Sequence, residues 1–185
     1  MTQARKVAII VGSLRKGSYN RKLANALITM KIPGLDLTIL EIGDLPLYNE
    51  DLDTDARPET WTSFRAALRS SAAVLFITPE YNRSVPGALK NAIDVGSRPY
   101  GKSSWQRKPG AVISLSPGKM GAFGANHHLR QSLVSLNVPA MAQPEAYIGG
   151  AAKLFDDAGN LVDDGTRTFL QEFMKAFAAW IDMRV

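Results

Sequence analysis

The stretch that decides the fold is Lys6–Asn20, KVAIIVGSLRKGSYN: five consecutive apolar residues from Val7 to Val11, then a glycine- and serine-bearing turn. Such a short β-branched run, bounded by Gly12, reads as a strand buried on both faces. The turn after it runs into a helical pattern, because from Asn20 to Met30 the apolar Leu23, Leu27 and Met30 fall at i, i+4 and i+7 before Pro33-Gly34 closes the segment. A strand, a polar turn and a helix in that order form the first half of a βαβ unit.

The same alternation continues along the chain. Leu37–Ile42 reads as a second strand, and a helix starting near Pro58 carries Trp61, Phe64 and Leu68 on one face. Ala73–Thr78 is the most continuously apolar strand, ended by Pro79, and a helix follows from Pro86 or Gly87 to about Val95. Ala111–Ser114 gives a fourth strand, and Leu129, Leu133 and Leu136 form one stripe on a helix from about Gly124. Val138–Ala140 is expected to be a short fifth strand, and Asp156–Thr166 a surface turn. Phe169, Leu170, Phe173, Met174, Phe177, Trp180 and Ile181 form the broad apolar face of a long terminal helix, a core face without chemistry.

Nearly continuous apolar strands alternating with helices imply a parallel sheet covered on both faces by right-handed crossovers. Five strands give an α/β, doubly wound domain of order 2-1-3-4-5. The 185 residues, 45% of them hydrophobic, form one domain around one sheet. In such a sheet a ligand lies outside the carboxyl ends of the strands, where strand order reverses between strands one and three. The loops to read are those opening at Gly12, Pro79 and Leu115.

The first loop, Gly12–Asn20, places backbone N–H groups and a positive helix end where an anion can sit. Ser13, Ser18 and Asn20 add neutral donors and Arg15 a guanidinium fork. It is not a P-loop, since Gly17 is followed by Ser18 and Tyr19 rather than Lys. It is not a dinucleotide fingerprint either, since Leu14 stands where the second glycine belongs. A mononucleotide's terminal phosphate fits what remains; the alternative is a helix that Ser18 or Asn20 merely caps. The second loop, PEYNRSVPGALKNAID from Pro79 to Asp94, is stiffened by two prolines, and Gly87 permits close approach of a flat ring. Here the alternative is an ordinary connection with proline at the first helical position. The third, SLSPGKMGAFG from Ser114 to Gly124, can bring backbone close to a ligand.

Cysteine is absent, which excludes disulfides, thiol nucleophiles, thiolate metal sites and iron–sulfur clusters and leaves any redox chemistry to a bound cofactor. His127 and His128 are adjacent on a helix, point in different directions and make a poor metal pair. No apolar run approaches the roughly 20 residues of a membrane span, and the short run after Lys6 is no secretory signal, so the expectation is a cytoplasmic protein. The 22 Lys and Arg against 17 Asp and Glu give a net charge of +5, without the clustered basic and aromatic residues of a nucleic-acid binder.

Taken together, the segments GSLRKGSYN, DLPLYNEDL, PEYNRSVPGALKNAID and SPGKMGAFGANHHLRQSL running on to QPEAYIGG resemble the NADPH-dependent FMN reductase family. Within it they resemble the soluble quinone and chromate reductases, which have a flavodoxin-like fold. The resemblance implies that Ser13, Arg15, Ser18 and Asn20, with Tyr19 between them, hold the FMN phosphate. It implies that Pro79, Glu80, Tyr81 and Asn82 border the isoalloxazine and that Ser116, Gly118 and Gly121 complete the pocket. It further implies NADPH or NADH as co-substrate, quinones and chromate as acceptors, and a homodimer or homotetramer touching its partner around Leu47 and Tyr48, with Arg130 and Glu145 at polar interface positions. Two departures stand out: Gly121-Ala122 where relatives often have two glycines, and His127 near an aromatic position. A flavodoxin-type electron carrier is the competing reading, against which the basic charge speaks, since carriers tend to be acidic. A nucleotide-triphosphate enzyme or nucleotide-binding regulatory module is weakened by the missing P-loop lysine.

Overall fold

In the structure, a computed structural model that describes residues 4–184, five strands alternate with five helices. The strands are β1 (Arg5–Val11), β2 (Leu35–Leu40), β3 (Ala73–Thr78), β4 (Gly110–Leu115) and β5 (Ala146–Ile148). They pair in parallel throughout, in the order β2-β1-β3-β4-β5. The helices are α1 (Tyr19–Thr29), α2 (Glu59–Ser70), α3 (Gly87–Gly96), α4 (Phe123–Ser135) and α5 (Asp164–Asp182).

Every residue of β3 and β4 is buried, which is why their sequences lack the polar alternation of a one-sided sheet. Alternate strand residues divide between two cores. Val7, Ile9, Leu75, Ile77 and Ile113 pack with α1 and α5, while Ala8, Ile10, Val74, Phe76 and Val112 pack with α2, α3 and α4. The broad apolar face of α5 is core, as its spacing indicates: Leu170, Phe173, Met174, Phe177 and Ile181 are buried.

The fifth strand differs from the expectation. Val138–Ala140 forms no strand; the chain touches the start of β4 through a lone bridge from Gly110 to Ala140, departs, and pairs in earnest only at Ala146–Ile148. Pro139 offers its carbonyl to the Gly110 amide at 3.1 Å but has no N–H to continue a ladder.

The long connection between β2 and α2 lies over the helical face and is held by three buried side chains. Asn91 of α3 accepts from the Tyr48 amide at 2.8 Å and donates to the carbonyls of Leu45 and Pro46 at 3.0 and 3.1 Å. Trp61 Nε1 also donates to Pro46 at 3.1 Å. Arg65, 2% exposed, donates from Nη1 and Nη2 to both carboxylate oxygens of Asp53 at 2.8 Å and from Nε to the Val95 carbonyl at 2.8 Å. These hydrogen bonds hold the Asp53 carboxyl below the ordinary carboxylate range, against the opposing effect of burial.

Candidate functional site

The carboxyl ends of β1 and β3 are neighbours with the chain leaving them in opposite directions, and a cleft of about 370 Å³ opens there. Gly12, Leu14 and Arg15 line one side, and Tyr81, Pro86, Gly87 and Ala88 the other. Gly12 is glycine because the chains converge tightly: a Cβ there would stand 3.1 Å from both Leu89 Cδ2 and Thr78 Oγ1. At Gly87 a Cβ would meet nothing within 4 Å, so the wall there is open.

The first loop is arranged as an anion cradle. Backbone hydrogen bonding resumes only with Ser18 N donating to Arg15 O at 3.1 Å, and the amides of Ser13 to Gly17 donate to no acceptor among the described residues. Ser13 is buried and Arg15 exposed. Ser18 is the N-cap of α1, its Oγ accepting from the Arg21 amide at 3.2 Å, so the capping alternative describes this side chain correctly. Capping leaves the amides of Tyr19 and Asn20 free at the positive end of α1. Asn20 is 4% exposed; its Nδ2 donates to the Leu115 carbonyl at 3.4 Å while its Oδ1 is buried with no partner. Tyr19 turns its ring away to stack on Phe155 at 6.2 Å, leaving its backbone as what it offers the cradle.

The second loop is a tight hairpin. Tyr81 and Ser84 exchange two backbone bonds of 3.0 Å around Asn82 and Arg83, both at positive φ, as a type I′ turn demands. This leaves Asn82 and the cleft-lining Tyr81 exposed, while Pro79 just before them is buried. Glu80 behaves differently from its neighbours. Its carboxylate accepts from the Ala125 amide in the first turn of α4 at 3.1 Å and pairs with Arg83 at 3.1 Å, so the side chain ties the second loop to the third.

In the third loop Ser116 Oγ donates to the Gly118 carbonyl at 3.2 Å, and Gly118 is exposed with only that hydroxyl near its missing Cβ, at 3.9 Å. Gly121 sits apart: it is buried at φ 58°, and a Cβ on it would lie 2.5 Å from the Tyr147 carbonyl carbon. Strand β5, rather than a ligand, requires this glycine. Ala122 follows in the same left-handed region at φ 59° and precedes α4 without a side-chain cap.

Sequence reasoning overlooked Leu14, 54% exposed in the cleft wall, and an aromatic cluster at the head of α4. In that cluster Phe123 lies 4.3 Å from His127 and 5.1 Å from Tyr147, centroid to centroid. The Tyr147 hydroxyl donates to Glu145 at 2.7 Å and meets His127 Nε2 at 3.0 Å. Burial first, then the Glu145 carboxylate, pushes the Tyr147 phenol up to about 12. The i, i+4 spacing of Phe123 and His127 was visible, but nothing in the sequence links them to Tyr147. His128 reaches Ser84 instead, its Nδ1 at 3.0 Å from Oγ, so the two histidines diverge as adjacency on a helix requires.

The model of the family described as NADPH-dependent FMN reductase matches residues 5–153. The chain belongs to that family. A quinone reductase of Pseudomonas putida is 63% identical over 183 residues, covering 99% of this chain and 98% of the relative. A 2-hydroxy-1,4-benzoquinone reductase of a Burkholderia species is 45% identical, covering 98% of this chain and the whole of the relative. Among solved structures, a flavoenzyme NAD(P)H:(acceptor) oxidoreductase from Paracoccus denitrificans superposes with a TM-score of 0.91 at 46% identity, covering 98% of this chain and 99% of that one. For a member of the FMN reductase family, the cradle and cleft fit the cofactor on their own evidence: five free amides beside a helix N-terminus, an orphaned buried Asn20 Oδ1, and an open wall at Gly87.

Proposed function

We propose that this protein is an FMN-dependent NAD(P)H:quinone oxidoreductase. The carrying observation is the cradle of unsatisfied amides, Ser13 to Gly17, joined to an apolar-walled cleft at the switch point of the sheet. Bound flavin supplies the redox chemistry, passing two electrons from a reduced nicotinamide to a quinone. The chain's own residues bind and orient. The backbone amides of Ser13, Tyr19 and Asn20, the hydroxyls of Ser13 and Ser18, the Asn20 side-chain amide and the Arg15 guanidinium hold the phosphate. Pro79, Glu80, Tyr81 and Asn82 border the ring from one loop, and Ser116 and Gly118 from another. Gly121 supports the third loop by allowing it to press on β5. Leu14 and Tyr81 present apolar surface over which a quinone ring can lie.

The acceptors are small molecules, and chromate joins quinones among them in this reading. No described helix is long and apolar enough to cross a membrane, which accords with a cytoplasmic enzyme. The assembly is a homodimer or homotetramer in which Leu47, 79% exposed on a loop otherwise pinned by Asn91, meets the partner. The test is an anaerobic titration of the purified yellow protein with NADPH or NADH, followed by turnover with benzoquinone and with chromate. Bleaching of the flavin and catalytic quinone reduction are expected. A protein that stays colourless with micromolar FMN, or whose flavin bleaches without turnover, would be respectively no flavoenzyme or an electron carrier. Light scattering measures the assembly, and cell fractionation the compartment.

A further inference from the structure

Between Asp94 and Glu145 the chain contains no acidic residue, yet it carries Arg98, Lys102, Arg107, Lys108, Lys119 and Arg130. Those six charges fall in one stretch of a chain whose total is only +5, although Lys108 is turned to the Ser71 carbonyl and Arg130 to Asn126 and the Met141 carbonyl. The structure places the first of them at a groove of about 540 Å³ between the C-terminal halves of α3 and α4, away from the cleft described above. Arg98 lines it, Lys102 lies between the lining residues Gly101 and Ser103, and Tyr100 stands beside them 91% exposed. The opposite wall is uncharged, with Ser132, Ser135 and Asn137. Lys90 and Asp94 also line the groove but neutralise each other at 2.6 Å. Among the described residues no carboxylate lies within ion-pair distance of Arg98 or Lys102, although the Arg98 charge is felt at Asp53.

A guanidinium and an ammonium free to take phosphate oxygens, an uncovered aromatic face and a wall of hydroxyls and an amide together match one ligand chemistry. We propose that this groove holds an adenosine phosphate: Arg98 and Lys102 take the phosphate, Tyr100 stacks on the purine, and Ser132, Ser135 and Asn137 bond the ribose. Two sources could supply it. The exposed side of α3 runs from Gly87 in the cleft to Ser97 in the groove, ten residues or about 15 Å of helix. A reduced nicotinamide dinucleotide whose nicotinamide lies in the cleft can therefore bring its adenosine end here; this source rests on the oxidoreductase reading. A free adenosine nucleotide is the other source, and its binding does not depend on that reading.

The probe is 2′,5′-ADP, titrated into the flavin-loaded protein by calorimetry at low salt. Binding is expected, weakened about tenfold or more by Arg98→Ala and by Tyr100→Ala. Lys102→Ala, on an exposed side chain, reads the phosphate contact even if Arg98→Ala disturbs its loop. Inhibition of turnover by 2′,5′-ADP that is competitive with NADPH identifies the dinucleotide as the source. Binding without such competition identifies a free nucleotide, and binding to a protein that shows no turnover would uphold the groove while removing the enzymatic reading. Absence of binding at millimolar probe overturns the proposal, as does affinity indifferent to all three substitutions. Capture of an oligonucleotide that 2′,5′-ADP fails to displace overturns it too.

Discussion

Asp53→Asn is the substitution whose cost follows most directly from the packing. It removes the negative charge that faces Arg65, and Arg57 at 3.1 Å, while leaving both guanidiniums in place; the Asp53 and Arg65 side chains are 5% and 2% exposed. Removing one partner of a buried ion pair costs roughly 3–5 kcal/mol. The lower end, about 3 kcal/mol, applies because the Nε bond to the Val95 carbonyl survives and an asparagine oxygen can still accept one of the two forked bonds. For a chain of this length each kcal/mol moves the melting temperature by about 2–4 °C, so a fall of about 6–12 °C is expected. Circular-dichroism melts at neutral pH measure it. The acid limb gives an independent reading. Because the folded state holds the Asp53 carboxyl below its unfolded value, the stabilisation is complete above the unfolded pKa and is lost as pH falls through the folded one. Stability of the parent should therefore drop on acidification more steeply than that of Asp53→Asn. A variant within about 1 kcal/mol of the parent, or two parallel pH profiles, would refute the view that this pair holds the β2–α2 connection in place.

Gly121→Ala drives a Cβ into the backbone of Tyr147 and should cost at least about 2 kcal/mol and loosen FMN; normal flavin affinity with unchanged urea midpoint would contradict the packing. Ala122→Gly relieves a left-handed alanine and should gain up to about 1 kcal/mol in the same urea experiment, whereas a loss would show that the strain is absent. Arg15→Ala should weaken FMN about tenfold or more by fluorescence titration, with no change in melting of the flavin-free protein, because its side chain is exposed. Glu145→Gln removes the charge beside the Tyr147 phenol, so ultraviolet titration should find that phenol ionising below its parental value of about 12; an unmoved titration would mean that burial alone sets it.

The parallel sheet was legible because Val7–Val11, Ala73–Ile77 and Ala111–Ile113 are apolar without interruption and alternate with helical patterns, as strands covered on both faces require. The fifth strand was misplaced because Ala146–Ile148 is three residues long and at an edge, where pairing with β4 rather than composition decides. Within the site, the position of the loops was legible and the direction of single side chains was not. Tyr19 and Glu80 stand among residues that face the cleft, but one packs on Phe155 and the other accepts from the Ala125 amide of α4, partners 136 and 45 residues away along the chain. Gly121 illustrates the converse: the glycine was noticed, but the Tyr147 backbone that enforces it cannot be read from the third loop alone.

The bond from the Ala125 amide to Glu80 has an asymmetry that matters for anyone redesigning this scaffold. One end is a particular carboxylate; the other is main chain, which every residue but proline supplies. The bond itself therefore sets no side-chain requirement at position 125 beyond what fits its buried place, but position 124 must stay glycine, since a Cβ there would stand 3.0 Å from the Glu80 carboxylate; a change at position 80 releases both loops together. The acid thus acts as a latch, and exchanging its loop between homologues should carry the coupling with it to any helix that keeps a glycine at position 124.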